Sequence, residues 1–293
     1  NRLGQLQDLC ECRLRLDEPL SRYTSARIGG PAEVLVEAAS ANMLAELCTH
    51  LWEWELPFVI LGGGSNVLIS DAGIEGVVVV NKADSYRFMK GDSPCVWAES
   101  GVNFGLLARQ AADRGFSGLE WAAGIPGTLG GAIFGNAGAH GGDMASNLEM
   151  AEILHLPERE AGAAPLRQEW KVERFDYSYR NSALKRERLA RSGHSAEYPS
   201  KVILSGRLRL KASQPKTFRE KMEHFTAYRR RTQPPGASMG SMFKNPPGDY
   251  AGRLIEAAGL KGHRVGGAHI SPLHANFFIN VEIAAAADVR LLI

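Results

Sequence analysis

The run Pro57-Phe58-Val59-Ile60-Leu61-Gly62-Gly63-Gly64 does most to limit what this chain can fold into. An apolar stretch of strand length ends in three consecutive glycines. Each glycine loses backbone entropy on folding, and a plain turn does not need three of them. The pattern predicts a buried strand that runs straight into a turn whose N–H groups approach an anion. Ser65 and Asn66 add two more donors. The G-x-G-x-x-G spacing of a dinucleotide fingerprint is absent, and no Gly-Lys-Ser/Thr follows as in a P-loop. A pyrophosphate-binding turn of another kind is the expected reading.

The neighbouring segments supply its frame. Glu33 to Ala38 reads as a short strand after a Gly29-Gly30-Pro31 turn, and residues 41–54 as an amphipathic helix with Ser40 or Asn42 near its N-cap. Val77-Val78-Val79-Val80 is a further strand, which makes this region a small βαβ-like unit. A second unit begins near residue 85, with a strand at Cys95 to Glu99 and a helix from Phe104 to Arg114 closed by Gly115. Strands are expected at 150–156 and 201–210, and the polar stretches 158–170 and 185–199 read as loops. Gln214-Pro215 marks a linker, followed by a charged helix from Phe218 to Arg231 and a Pro234-Pro235-Gly236 turn. Ala251 to Ala258 reads as a helix closed by Gly259, Asn276 to Asn280 as a strand, and the chain stops within a helix that starts near Ala284. The expected division is 1–84, 85–213 and 214–293, the last continuing beyond Ile293.

A length of 293 residues fits two or three subdomains. The formal net charge of +2 argues against a dedicated nucleic-acid binder. Arg229-Arg230-Arg231 reads as a solvated helix end, or more sharply as a phosphate contact. No apolar run approaches the ~18 residues of a membrane span, and no secretory signal is read at the start. Cys10, Cys12, Cys48 and Cys95 offer no disulfide or zinc spacing, so reduced thiols in a cytoplasmic protein are expected. His263, His269 and His274 show no metal pattern, and no metal is expected.

Three further constellations carry chemistry. Gly124-Ile125-Pro126-Gly127-Thr128-Leu129-Gly130-Gly131-Ala132, continuing to Asn136-Ala137-Gly138, permits close backbone approach, either to a ligand or to another backbone. Tyr179-Arg180-Asn181-Ser182 offers a guanidinium suited to a carboxylate or phosphate, or to a salt bridge at a strand end. Gly240-Ser241-Met242-Phe243-Lys244-Asn245-Pro246 combines a hydroxyl, an ammonium and a carboxamide. Ser241 has no G-x-S-x-G elbow, and no histidine spacing pairs with it. A proton-donating serine assisted by Lys244 suits the residues better than a nucleophile.

Taken in order, these motifs resemble the UDP-N-acetylenolpyruvoylglucosamine reductases. The resemblance runs through Thr24 and Arg27-Ile28-Gly29-Gly30-Pro31-Ala32, Leu61 to Asn66, and Gly118-Leu119-Glu120 leading to Gly124 to Ala132. It continues through Asn136 to Gly138, Tyr179-Arg180, Gly240 to Pro246, and Ala251-Gly252-Arg253-Leu254-Ile255-Glu256 through Gly262. It implies an α/β (α+β) fold: two subdomains of the vanillyl-alcohol-oxidase type holding FAD, and a C-terminal α/β substrate domain. It implies FAD contacts from Thr24, Arg27, Gly62, Gly63, Gly64, Ser65, Asn66, Gly124, Ile125, Pro126, Gly127, Thr128, Gly131, Ala132, Asn136 and Gly138. NADPH is the implied reductant. Arg180 polarises the substrate carboxylate, and Ser241 gives the proton to C2 while flavin N5 gives hydride to C3. Tyr179, Lys244 and Asn245 contact a UDP-sugar substrate, and Glu256 supports the site. A further glutamate that the family carries near its C-terminus lies beyond this sequence. Where the family often carries a lysine before a Gln-Pro, this sequence has Thr232 before Gln233-Pro234. The implied protein is a monomer without nucleic-acid or membrane partners. The competing readings are another FAD oxidoreductase of the vanillyl-alcohol-oxidase superfamily and a non-catalytic nucleotide-binding module.

Overall fold

Valines 77–80 are all buried, as a parallel strand covered on both faces requires. A computed structural model describes residues 2–9, 14–157, 164–191, 198–212 and 215–293. Strand Phe58–Leu61 pairs in parallel with Ile74–Asn81, in the register Phe58 to Val77 through Leu61 to Val80. Val77 and Val79 join the core beneath helix Ala41–Glu53, which buries Leu44, Leu47, Leu51 and Trp52 on one face. Ser40 caps that helix by accepting from Met43 N at 3.1 Å.

The chain divides into two compact units. The first comprises Asn1–Arg15, Val34–Gly62 and Gly76–Phe225; the second comprises Leu16–Glu33, Gly63–Glu75 and Thr226–Ile293. The first unit carries an antiparallel five-stranded sheet in the order Leu166–Lys171, Leu148–His155, Lys201–Arg209, Cys95–Glu99, Tyr86–Met89. Helices Phe104–Asp113 and Leu129–Gly135 contribute Phe104, Leu107, Leu129 and Ile133 to its core. The buried Glu99 carboxylate accepts from Ala41 N at 2.8 Å and Ser85 N at 3.0 Å. One acidic side chain thereby ties a helix N-terminus to this sheet.

The second unit holds an antiparallel sheet of Arg264–Val265, Ala268–Ile270 and Phe278–Asn280, with helices Ala251–Ala257 and Ala286–Leu292. Its core joins Ala26, Ile28 and Leu68 to Met239, Phe243, Ile270 and Phe278. Two side chains fasten distant parts of the sequence within this unit. Asp71 accepts from Ala286 N at 2.6 Å and Ala287 N at 3.0 Å, capping the last helix. Asn280 Nδ2 donates to Ala26 O at 2.9 Å.

Two expected loops are partly regular structure. Leu166–Lys171 is an edge strand on which only Trp170 is buried, so its polar composition conceals it. Ala183–Arg191 is a helix whose described residues bury Leu184, too little apolar surface to leave a periodic signal. Within the glycine-rich run, Leu129–Gly135 is also helical despite three glycines of low helix propensity. Cys48 and Cys95 are free thiols, and burial raises the pKa of both. Cys10, Cys12 and most of the stretch 192–199 lie outside the described residues.

Candidate functional site

In the first unit, the two glycine-rich runs that are far apart in sequence meet. A Cβ placed on Gly62 would lie 2.5 Å from Thr128 Oγ1, so the turn after the Phe58–Leu61 strand needs a residue with no side chain here. Thr128 is the N-cap of helix Leu129–Gly135, accepting from Gly131 N at 3.4 Å. The run is laid along residues 100–104 by backbone bonds: Gly130 N to Ser100 O at 2.8 Å, Leu129 N to Val102 O at 2.9 Å and Phe104 N to Gly127 O at 3.1 Å. Gly124, Pro126 and Gly131 remain exposed. A backbone surface pinned from behind and open in front is what a pyrophosphate cradle needs.

The same unit contains a concavity of about 380 Å³ lined by Asn136, Gly138, Asp143, Tyr177, Tyr179 and Arg180, among others. Arg180 sits in the left-handed region at φ 54°. Its Nη2 donates to Gly138 O at 2.6 Å and its Nη1 to Asn136 O at 3.4 Å. Asn136 is itself left-handed, at φ 46°. Both ends of its carboxamide are occupied: Nδ2 donates to Ser178 O at 3.0 Å, and Oδ1 accepts from Ala145 N at 3.1 Å. Asn136 therefore holds the Arg180 loop by its side chain, while its backbone N–H donates to Ala132 O and its backbone oxygen accepts from Arg180. Tyr177, which sequence reading passed over, donates from its hydroxyl to Ile133 O at 2.8 Å. Burial, with Asp143 adding to it, pushes its phenol far above the usual range, so it stays protonated and serves as a wall. Tyr179 is exposed, with the Arg180 guanidinium 5.8 Å from its ring centre.

In the second unit, Thr24 Oγ1 donates to Ile28 O at 2.8 Å and receives Ile28 N at 3.1 Å. Its buried hydroxyl closes a loop on which Arg27 is exposed. Gly64 belongs to the same unit, at φ 58°, and a Cβ on it would lie 1.9 Å from Tyr23 O. Ser25 N donates to Gly64 O at 3.0 Å. Gly63 and Asn66 beside it are exposed, and Ser65 is half-buried.

Ser241 forms an antiparallel bridge with Phe277, and its exposed hydroxyl has no hydrogen-bond partner among the described residues. Among the described residues, neither a histidine nor a carboxylate bonds to it as activation of a nucleophile requires. The next two residues are bonded to Asn276: Met242 N donates to Asn276 O and Phe243 N to Asn276 Oδ1, each at 2.9 Å. Lys244 is exposed. Asn245 Oδ1 accepts from Ala251 N at 3.1 Å, which leaves its amide N–H groups for other partners. Glu256 pairs with Lys261 at 2.6 Å on the surface of the Ala251–Ala257 helix. His274 Nδ1 accepts from Asn276 N at 3.2 Å. Burial holds the pKa of this imidazole below its ordinary value, with Lys261 adding to the effect and a backbone hydrogen bond opposing it. Neutral His274 is therefore the form that accepts this bond. Among the described residues, no three His, Cys, Asp or Glu side chains are grouped as a metal site requires. No described helix is long and apolar enough to cross a membrane.

Comparison with known proteins follows the same partition of motifs. Residues 232–293, which contain Ser241, match the family model described as UDP-N-acetylenolpyruvoylglucosamine reductase, C-terminal domain. Residues 32–157, which contain Gly62 and Thr128, match an FAD binding domain model. The chain is 43% identical over 282 residues to the UDP-N-acetylenolpyruvoylglucosamine reductase of Chloroflexus aggregans, covering 96% of this chain and 90% of that protein. It is 41% identical over 289 residues to that of Rubrobacter xylanophilus, covering 99% and 90%. Among solved structures, UDP-N-acetylenolpyruvylglucosamine reductase from Thermus caldophilus matches with a TM-score of 0.76 at 35% identity, covering 95% of this chain and 91% of that one.

Proposed function

The chain belongs to the UDP-N-acetylenolpyruvoylglucosamine reductase family of FAD-dependent oxidoreductases, with its mixed α/β fold, and on that premise we propose that it reduces UDP-N-acetylglucosamine enolpyruvate to UDP-N-acetylmuramate with NADPH, in peptidoglycan precursor synthesis. The supporting observation is that one chain carries both a glycine-rich run pinned along its back, with Gly124, Pro126 and Gly131 exposed, and a Ser241 hydroxyl that has no partner among the described residues and sits on a pinned backbone.

The residues at the cradle fit the cofactor. Exposed residues Gly124, Pro126 and Gly131, on a run pinned from behind by Ser100 O and Val102 O, suit a pyrophosphate. Ile125, Gly127, Ala132, Asn136 and Gly138 are assigned to the same cofactor, as are Thr24, Arg27 and Gly63 to Asn66. FAD held there would supply the hydride chemistry that no side chain has, with NADPH as the reductant. Arg180 grips the substrate carboxylate and stabilises the charge that develops on it. Ser241 gives its proton to C2, so hydride and proton together saturate the double bond. Tyr179, Lys244 and Asn245 anchor the UDP-sugar, and Glu256, which pairs with Lys261, supports the site. Segments 1–84 and 85–213 form the cofactor subdomains and 214–293 the substrate domain of a cytoplasmic monomer.

The test is a two-step anaerobic titration. The purified protein should be yellow, NADPH should bleach it, and the enolpyruvyl sugar nucleotide alone should restore the colour with one product formed per NADPH consumed. Failure of that substrate to reoxidise the flavin would assign the protein to another FAD oxidoreductase. The cradle has its own test. A methyl group at position 62 must displace Thr128, a short side chain already committed to an N-cap, at a cost of about 1–3 kcal/mol. Gly62→Ala should therefore lower flavin absorbance per protein, and undiminished flavin content would remove Gly62 from the cofactor site.

A further inference from the structure

We propose that Asn276 is a positioning residue for the Ser241 hydroxyl; this rests on the reading of Ser241 as proton donor. Asn276 is 3% exposed, and both its carboxamide and its main-chain oxygen bond to the two residues that follow Ser241. Its Oδ1 accepts from Phe243 N and its Nδ2 donates to Phe243 O, both at 2.9 Å. Its main-chain oxygen accepts from Met242 N at 2.9 Å. Its own N–H donates to His274 Nδ1 at 3.2 Å.

The carboxamide thus does for Phe243 what a neighbouring strand residue does, offering one acceptor and one donor from a single plane. Ser241 bridges to Phe277, the residue after Asn276, so the same short stretch holds the serine on one side and its two successors on the other. An exposed hydroxyl with no partner of its own can be aimed only through its backbone, and this clamp fixes that backbone. Serine without the clamp keeps its chemistry and loses its aim.

The test uses Asn276→Ala and Asn276→Asp in the flavin-loaded enzyme. The aspartate keeps size and acceptor, but at neutral pH it cannot donate to Phe243 O, so it serves where the alanine variant fails to fold. In both, NADPH should reduce the flavin at the wild-type rate. Reoxidation by the enolpyruvyl substrate should slow roughly 100-fold, the scale of a 1 Å misplacement. Hydrogen exchange at the Met242 and Phe243 amides should accelerate in the protein without substrate, while exchange across Ala268–Ile270 stays unchanged. Adding Asn276→Ala to Ser241→Ala should slow reoxidation no further, because both changes remove one function. Equal slowing of both half-reactions, an additive double variant, or unaltered exchange at Met242 and Phe243 overturns the proposal. If Ser241→Ala leaves reoxidation intact, the proton-donor reading fails separately, and the exchange data still decide whether Asn276 holds the segment.

Discussion

Ser241→Ala should leave reduction of the flavin by NADPH unchanged and slow reoxidation by the enolpyruvyl substrate roughly 100- to 10,000-fold, the usual contribution of a positioned general acid. The selectivity follows from what the side chain touches. Its hydroxyl is exposed and bonds to no described residue, so its removal leaves no buried partner unsatisfied. The backbone at this position is held by the bridge to Phe277 and, one and two residues on, by Asn276, and alanine keeps all of these bonds. Stability should therefore stay within about 0.5 kcal/mol of the wild type, as for most exposed substitutions. Double-mixing stopped-flow on one flavin signal separates the two half-reactions, and a thermal melt checks the fold. Equal loss in both steps would make Ser241 a binding or structural residue.

Much of this site is legible in the sequence because it is made of local exceptions. Three glycines after an apolar strand, and a hydroxyl, an ammonium and a carboxamide within five residues, stand out against ordinary turns. The strands and helices that carry them follow from periodicity: Val77 to Val80 is buried throughout, and Ala41–Glu53 buries one face. What sequence cannot reveal is which of the marked residues are consumed by the fold. Thr24 and Asn136 carry donors suited to a ligand, yet their side chains close a loop and hold the Arg180 turn. Gly64 is required by the approach of Tyr23 O whether or not a ligand binds. Asn276 is the reverse case. In Asn276 to Asn280 it reads as one polar residue on a strand, because its partner Phe243 is 33 positions away and no spacing rule links them. The contact between Gly62 and Thr128 is hidden for the same reason, although each run is conspicuous alone. The edge strand Leu166–Lys171 leaves no mark in the sequence because a strand that buries one side chain has no alternation to show.

Arg180→Lys should be nearly as damaging as loss of Ser241, although it keeps the charge. The guanidinium spends two donors on Asn136 O and Gly138 O, which fix its plane against the backbone of the concavity. Three of its five donors remain, in a rigid fork that matches a carboxylate. A lysine ammonium is a single point with three donors. It can satisfy those carbonyls or meet a carboxylate, but it cannot do both with two-point geometry. The backbone adds a constraint, since φ 54° at this residue belongs to a tight turn closed by Asn181 N donating to Ser178 O at 3.0 Å and Ser178 N to Asn181 O at 3.2 Å. Lysine inherits that conformation without the fork that uses it. Reoxidation by substrate should fall roughly 100- to 1,000-fold, the loss typical of removing one preorganised donor from a developing anion. The substrate KM should rise, while reduction of the flavin by NADPH should hold. A lysine variant that reoxidises within tenfold of the wild-type rate would mean that charge alone suffices, and that the two carbonyl contacts stabilise the loop without orienting the guanidinium.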